Sequence, residues 1–143
     1  MLYFDTCFLA PLILEESASE AVEEFLAGRK SDAWATSHWT RVEYSSILAR
    51  EVRMGGLDWR SAKAADARFE TLLDEHFSVA LPSAEDFDLA KAYLGAAQTG
   101  LRGGDALHLA IATGQKATAI YTLDKGLLKA GEILRLPVFK GIA

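Results

Sequence analysis

Hydrophobic residues along this chain follow two rhythms. Short apolar runs alternate with longer stretches in which apolar positions recur every three or four residues, the signature of strands separated by helices. Leu2-Tyr3-Phe4 is the first run and ends in Asp5-Thr6, which suits a buried strand with an acid at its carboxyl end. A brief helix through Leu14 follows. Ser17 to Leu26 reads as a second helix, capped by Ser17 or Ser19, with Ala21, Val22, Phe25 and Leu26 inward and Gly28 stopping it. Ala33-Trp34-Ala35 is a short second strand. Thr36 or Ser37 then caps a long helix to about Arg53, closed by Gly55-Gly56. Asp58 caps another, in which Ala62, Ala65, Phe69, Leu72 and Leu73 keep the helical period.

The third strand spans Phe77 to Leu81, and Pro82-Ser83 leads into a helix carrying Phe87, Ala90, Tyr93 and Leu94, ended by Gly100. Asp105 falls in the first turn of the next helix, whose inward residues include Leu107, Ala110 and Ile111. Thr118 to Leu123 is a fourth strand ending in Asp124, a helix from Lys125 to Ala130 comes next, and Pro137-Val138-Phe139 is an edge strand. Such alternation predicts βα units, hence an α/β fold with a parallel sheet covered by helices on both faces. No linker interrupts it, so a single domain over residues 1–143 is expected.

Composition narrows the function classes. Half of the residues are hydrophobic and the net charge is −5, which argues against a protein that simply coats nucleic acid. An enzyme that meets phosphate through metal ions stays open, because their charge inverts the local field. The single cysteine, Cys7, excludes an internal disulfide and fits a reducing, cytoplasmic setting. Its apolar neighbours Phe8, Leu9 and Leu12 point to a buried structural thiol. The longest apolar run, Phe8 to Leu14, contains Pro11 and is too short to span a bilayer, so no membrane association is expected.

The acids carry the candidate chemistry. Asp5 and Asp124 end two strands and so face one rim of an α/β sheet, where ligands collect. Asp105 starts the helix feeding the fourth strand. A lone Asp there is an ordinary helix start, because free N–H groups favour a carboxylate. Glu43 shares an i, i+4, i+8 row with Trp39 and Ile47, beside Val42 and Ser46, so the long helix turns it inward. A buried carboxylate needs a cation or a hydrogen-bonding partner, and Arg50 is one structural possibility. Four inward acids without matching bases suit a hard divalent ion, Mg²⁺ or Mn²⁺; His38, His76 and His108 lack a zinc-like spacing. His108 lies three residues after Asp105 and is expected to support the site or the core.

Leu2-Tyr3-Phe4-Asp5-Thr6, Glu43, Leu101-Arg102-Gly103-Gly104-Asp105-Ala106-Leu107-His108-Leu109-Ala110 and Tyr121-Thr122-Leu123-Asp124 together resemble the PIN-domain ribonucleases, and within them the VapC toxins of toxin–antitoxin pairs. The resemblance covers nearly the whole chain. It implies a PIN-like three-layer α/β/α sandwich with a short, mostly parallel five-stranded sheet. It also implies a Mg²⁺- or Mn²⁺-dependent endoribonuclease, with Asp5, Glu43 and Asp105 as core metal ligands and Asp124 as the more variable fourth acid. Thr6 and Thr122 match hydroxyl positions that orient the acids; some relatives carry Asn where Leu123 stands. In-line hydrolysis would leave a 5′-phosphate and a 3′-hydroxyl without a protein nucleophile. Arg102 and Lys125 are candidate RNA contacts. A cognate VapB-like antitoxin, its tail meeting Phe8, Leu9 and Trp39, and a homodimer are the implied partners. The alternative is a catalytically inactive PIN-like module that binds RNA or protein; loss of a core acid would mark it, yet all three are present. An aspartyl-phosphate mechanism would want a second acid close behind Asp5, where Thr6-Cys7 stands.

Overall fold

Tyr3 and Phe4 set the layering of the molecule. Adjacent residues in a strand point to opposite faces, and both side chains are fully buried, Tyr3 in one hydrophobic core and Phe4 in the other. A strand that buries both faces belongs in the middle of a sheet. In the structure, a computed structural model describing residues 1–143, β1 (Leu2–Phe4) lies between β2 (Trp34–Ser37) and β4 (Ala119–Tyr121). β3 (Ser78–Ala80) and β5 (Val138–Phe139) form the edges, giving the order β3-β2-β1-β4-β5. Every pairing is parallel.

Helices cover both faces. α1 (Thr6–Leu9), α2 (Ser19–Ala27), α3 (His38–Arg53) and α4 (Trp59–His76) enclose the core around Phe4, with Phe8, Phe25, Tyr44 and Phe69. α5 (Ala84–Leu94), α6 (Gly103–Gly114) and α7 (Lys125–Leu134) enclose the core around Tyr3, with Leu109, Ile111, Ile120 and Leu127. Three-residue turns of 3-10 helix, Ala10–Leu12 and Ala97–Thr99, extend α1 and precede α6. No helix is long and apolar enough to cross a membrane. The expected three-layer α/β/α sandwich is therefore observed.

Local chemistry explains the helix starts. Asp5, Ser37, Asp58, Ser83 and Asp124 each accept a bond from a backbone N–H one turn on, satisfying donors that a helix leaves free. α2 departs from expectation: neither Ser17 nor Ser19 caps it, because Ser19 is already helical and donates its hydroxyl to the Pro11 carbonyl at 2.7 Å. The strands are shorter than their apolar runs suggest. Phe77 closes α4 instead of opening β3, and β4 ends at Tyr121.

α5 also turns differently from its apolar pattern. Phe87 and Leu94 are exposed at 53% and 39%, while Asp86 and Ala90 are buried. The reason is close approach to α6: a Cβ on Gly114 would stand 2.4 Å from Asp86 Oδ1. Asp86 fills that gap because its other oxygen accepts the Ser83 backbone N–H at 2.9 Å, half of a reciprocal cap.

Candidate active site

The strand order reverses between β1 and β4, and in such sheets a crevice opens beyond the carboxyl ends of the strands at that point. A cleft of about 590 Å³ occupies it. Asp5 enters it from the end of β1, Glu43 from α3, Asp105 from the first turn of α6 and Asp124 from the end of β4. All four acids singled out in the sequence thus line one cavity.

Each acid is held differently. Asp5 is buried; its Oδ1 accepts the Phe8 backbone N–H at 2.9 Å and its Oδ2 the Thr122 hydroxyl at 2.5 Å. Thr122 Oγ1 in turn accepts the Asp124 backbone N–H at 3.1 Å, so one hydroxyl ties the ends of both strands together. Asp124 Oδ1 caps α7 through the Leu127 N–H at 2.8 Å. Glu43 Oε1 accepts from the Thr6 hydroxyl at 2.6 Å and pairs with His108 Nε2. Asp105 receives no hydrogen bond from the protein, and only backbone glycines, Gly103 and Gly104, precede it in its helix.

The glycine at 104 has a specific reason. A Cβ there would come within 3.2 Å of both Glu43 Oε2 and the Trp39 ring, so a side chain would press directly on the carboxylate.

Electrostatics follow from this packing. Burial, reinforced by the Asp105 charge, pushes the Asp5 carboxyl up to about 6, against the pull of His108, Thr122 and the Phe8 N–H. Burial and the charges of Asp124 and Glu43 also raise Asp105. Burial alone would raise Glu43 too, but its bonds to His108 and Thr6 outweigh that and hold it below the usual carboxylate range. Asp5, Asp105 and Asp124 form no ion pair with Lys or Arg.

This donor set suits a hard divalent cation: several carboxylate oxygens, hydroxyls orienting them, and raised acids that a positive charge would relieve. No three His, Cys, Asp or Glu side chains stand close enough to make a ready-formed metal cluster. The acids line the cleft walls instead, and the unbonded Asp105 carboxylate is the one freest to turn inward.

Several expectations need correction. Cys7 is exposed and lines the cleft instead of the core. Partial desolvation in the cleft and the charges of Asp5 and Asp124 push its thiol up to about 12, which favours the protonated form. Phe8 and Leu9 are fully buried and unavailable to any partner. Arg50 reaches the cleft but does not pair with Glu43; His108 does. Lys125 lies outside the cleft lining, whereas Arg102 is part of it. Val42, beside the Glu43 row, is 58% exposed. Ser46 and Arg50, at helical spacing from Glu43 and Ile47, join them in the cleft wall, and sequence reasoning missed Glu16, which lines the cleft as well.

Comparisons with known proteins agree with this fold. No curated protein sequence matches the chain. Among solved structures, VapC20 of Mycobacterium tuberculosis, a sarcin–ricin loop cleaving toxin, superposes with TM-score 0.71 at 22% identity, over 92% of this chain and 95% of that one. FitAcB of Neisseria gonorrhoeae gives 0.75 at 18%, over 99% and 98%. VapBC2 of Rickettsia felis, bound to a DNA fragment from its promoter, gives 0.73 at 15%, over 97% and 98%. Identities this low establish a shared fold. The PIN domain family model matches residues 2–133, almost the full length that builds the sheet and its acidic cleft, and the chain therefore belongs to the PIN domain family.

Proposed function

We propose that this PIN domain is a Mg²⁺- or Mn²⁺-dependent endoribonuclease of the VapC type, kept inactive by a VapB-like antitoxin in the cytoplasm. The observation that supports it most is the convergence of Asp5, Glu43, Asp105 and Asp124, from four separate elements, on one cleft in which none of them forms an ion pair with Lys or Arg, although Arg50 and Arg102 stand in its wall. A fold of this kind gains nothing in stability from such crowding, so the acids point to a cationic ligand.

Asp5, Glu43 and Asp105 would hold the ion, with Asp124 at the edge of the set. A bound divalent ion would supply charge for the scissile phosphate and a lowered pKa for attacking water. The chain's own residues orient and select. Thr122 fixes Asp5, Thr6 fixes Glu43, and Arg102 and Arg50 offer guanidinium groups at the cleft wall to phosphates of the RNA. The Cys7 thiol, held protonated, takes no covalent part.

The partners follow from the same surface. An acidic cleft with apolar Ala10 and Ile47 in its wall suits a basic antitoxin tail. A second copy of the chain is the proposed occupant of the apolar face around Phe87, Leu94 and Trp39. Phe87→Glu is accordingly expected to convert a dimer to a monomer in light scattering; a wild type that is already monomeric at tens of micromolar rejects the dimer.

The deciding experiment is cleavage of a mixed RNA pool, including ribosomal RNA, with Mg²⁺ or Mn²⁺ and with EDTA. Metal-dependent cuts are expected, absent in folded Asp105→Ala. Arg102→Ala should weaken RNA binding and lower its salt dependence, and Lys125→Ala should change neither. RNA bound without cleavage under every metal condition would instead favour the non-catalytic module.

A further inference from the structure

We infer that His108 is a positioning residue that turns Glu43 into a one-oxygen ligand, braced from behind by Tyr3 and Ser37. This rests on the metal-nuclease reading above, since the aim of Glu43 matters only if Glu43 serves that site.

His108 is out of keeping with its surroundings. It is 1% exposed, and Leu107, Leu109, Ala110 and Ile111 around it on α6 are buried apolar residues. A leucine would pack there without burying polar atoms. An imidazole is tolerable in such a place only when both ring nitrogens are satisfied. They are. Nδ1 lies 2.9 Å from Tyr3 Oη, which is in turn 3.0 Å from Ser37 Oγ; Nε2 faces Glu43 Oε1 and lies 3.3 Å from Thr6 Oγ1. The Tyr3 and His108 rings meet edge to face at 5.9 Å, so the phenol fixes the imidazole plane by packing as well as by its hydroxyl.

The consequence falls on Glu43. A carboxylate oxygen has two lone-pair positions. Oε1 uses one for the Thr6 hydroxyl and the other for His108 Nε2, which must carry a proton to face a carboxylate. Oε1 is thereby saturated. Oε2 accepts no bond from the protein and lies against the space that a Cβ on Gly104 would fill. Only Oε2 is left to reach an ion in the cleft. Without His108, the carboxylate could rotate about its terminal bond and present either oxygen, or both. Buried partners of metal ligands commonly matter in this way, and their loss weakens metal affinity by about 10–100-fold.

Calorimetric titration of Mn²⁺ into wild type, His108→Leu, His108→Gln and Tyr3→Phe tests this, beside thermal melts and RNA-cleavage kinetics. His108→Leu should keep the fold, weaken Mn²⁺ binding by about 10–100-fold, and lower kcat while leaving KM for RNA unchanged. His108→Gln places an amide N–H near the Nε2 position and should recover most of the affinity; Tyr3→Phe should lose a smaller part. A folded His108→Leu that binds Mn²⁺ as wild type does would overturn the inference. If His108→Leu fails to fold, Tyr3→Phe decides, and unchanged affinity there overturns it equally. Wild type that binds no Mn²⁺ would sink the metal-nuclease reading itself, a result distinct from variants that match a binding wild type.

Discussion

Asp5→Asn is expected to abolish RNA cleavage and, at neutral pH, to make the metal-free protein more stable. The two effects share one cause. Asp5 is buried beside Asp105, and its carboxyl is raised from an ordinary 3.8 to about 6, so at pH 7 the folded protein carries a charge that its surroundings disfavour. That displacement corresponds to about 3 kcal/mol of unfavourable linkage once the group is ionised. The sign is fixed by the direction: an acid with a raised folded pKa binds its proton more tightly in the native state, so stability falls as pH rises from about 4 to about 6. Asn keeps the shape and one acceptor for the Phe8 N–H, and Thr122 can accept from its amide instead of donating. The variant should therefore melt higher than metal-free wild type at pH 7, by up to roughly 9 °C, and show no advantage at pH 4. Its cleavage rate should fall by more than about a hundredfold, beyond what loss of an outer partner does. A melt shift of the same size at both pH values would refute the electrostatic account. Cleavage that survives would remove Asp5 from the site.

The same opposition between stability and function explains which parts of the molecule were legible in the sequence. Asp5, Asp105 and Asp124 were readable because each doubles as a punctuation mark, ending a strand or opening a helix, and these marks are local. The parallel sheet followed from short runs such as Leu2-Tyr3-Phe4 that lack polar alternation. Helix facing was harder. Phe87 and Leu94 look inward by period, but the tight seat of Asp86 against Gly114 rotates α5 and leaves them outside. Cys7 sits among apolar neighbours in sequence, yet the turn of α1 aims it at the cleft while Phe8 and Leu9 go inward. The partner of Glu43 was beyond local reading altogether. His108 is 65 residues away from it, and Tyr3 is 105 residues away from His108, so only the assembled fold brings the three together. Arg50, on the same helix as Glu43, is nearer in sequence but forms no ion pair with it.

Addition of Mn²⁺ should reverse the ordering between wild type and its acid variants. An ion bound only by the folded protein stabilises it by about 2.7 kcal/mol at a hundred times its dissociation constant, which is roughly 8 °C in Tm for a chain of this size. Asp105→Asn should lose most of that increment, because Asp105 is half-buried, raised by burial and by Asp124 and Glu43, and has no protein hydrogen bond competing for its oxygens. In the absence of Mn²⁺ the same variant should melt no lower than wild type, having shed one of the crowded charges. Protons and the ion compete for the same oxygens. With Asp5 titrating near 6 and Asp105 also displaced upward, Mn²⁺ affinity should begin to weaken as pH drops below about 6, well above the range where unperturbed carboxylates protonate. Melts of wild type and Asp105→Asn across Mn²⁺ concentration at pH 7.5 and pH 5.5 separate these effects. Equal Mn²⁺ shifts in both proteins would place the ion somewhere other than beside Asp105. A wild-type shift independent of pH would show that Asp5 and Asp105 do not give up protons to bind it. A large shift at pH 7.5, reduced at pH 5.5 and nearly absent in Asp105→Asn, is the result expected if the repulsion stored among these acids is what the ion relieves.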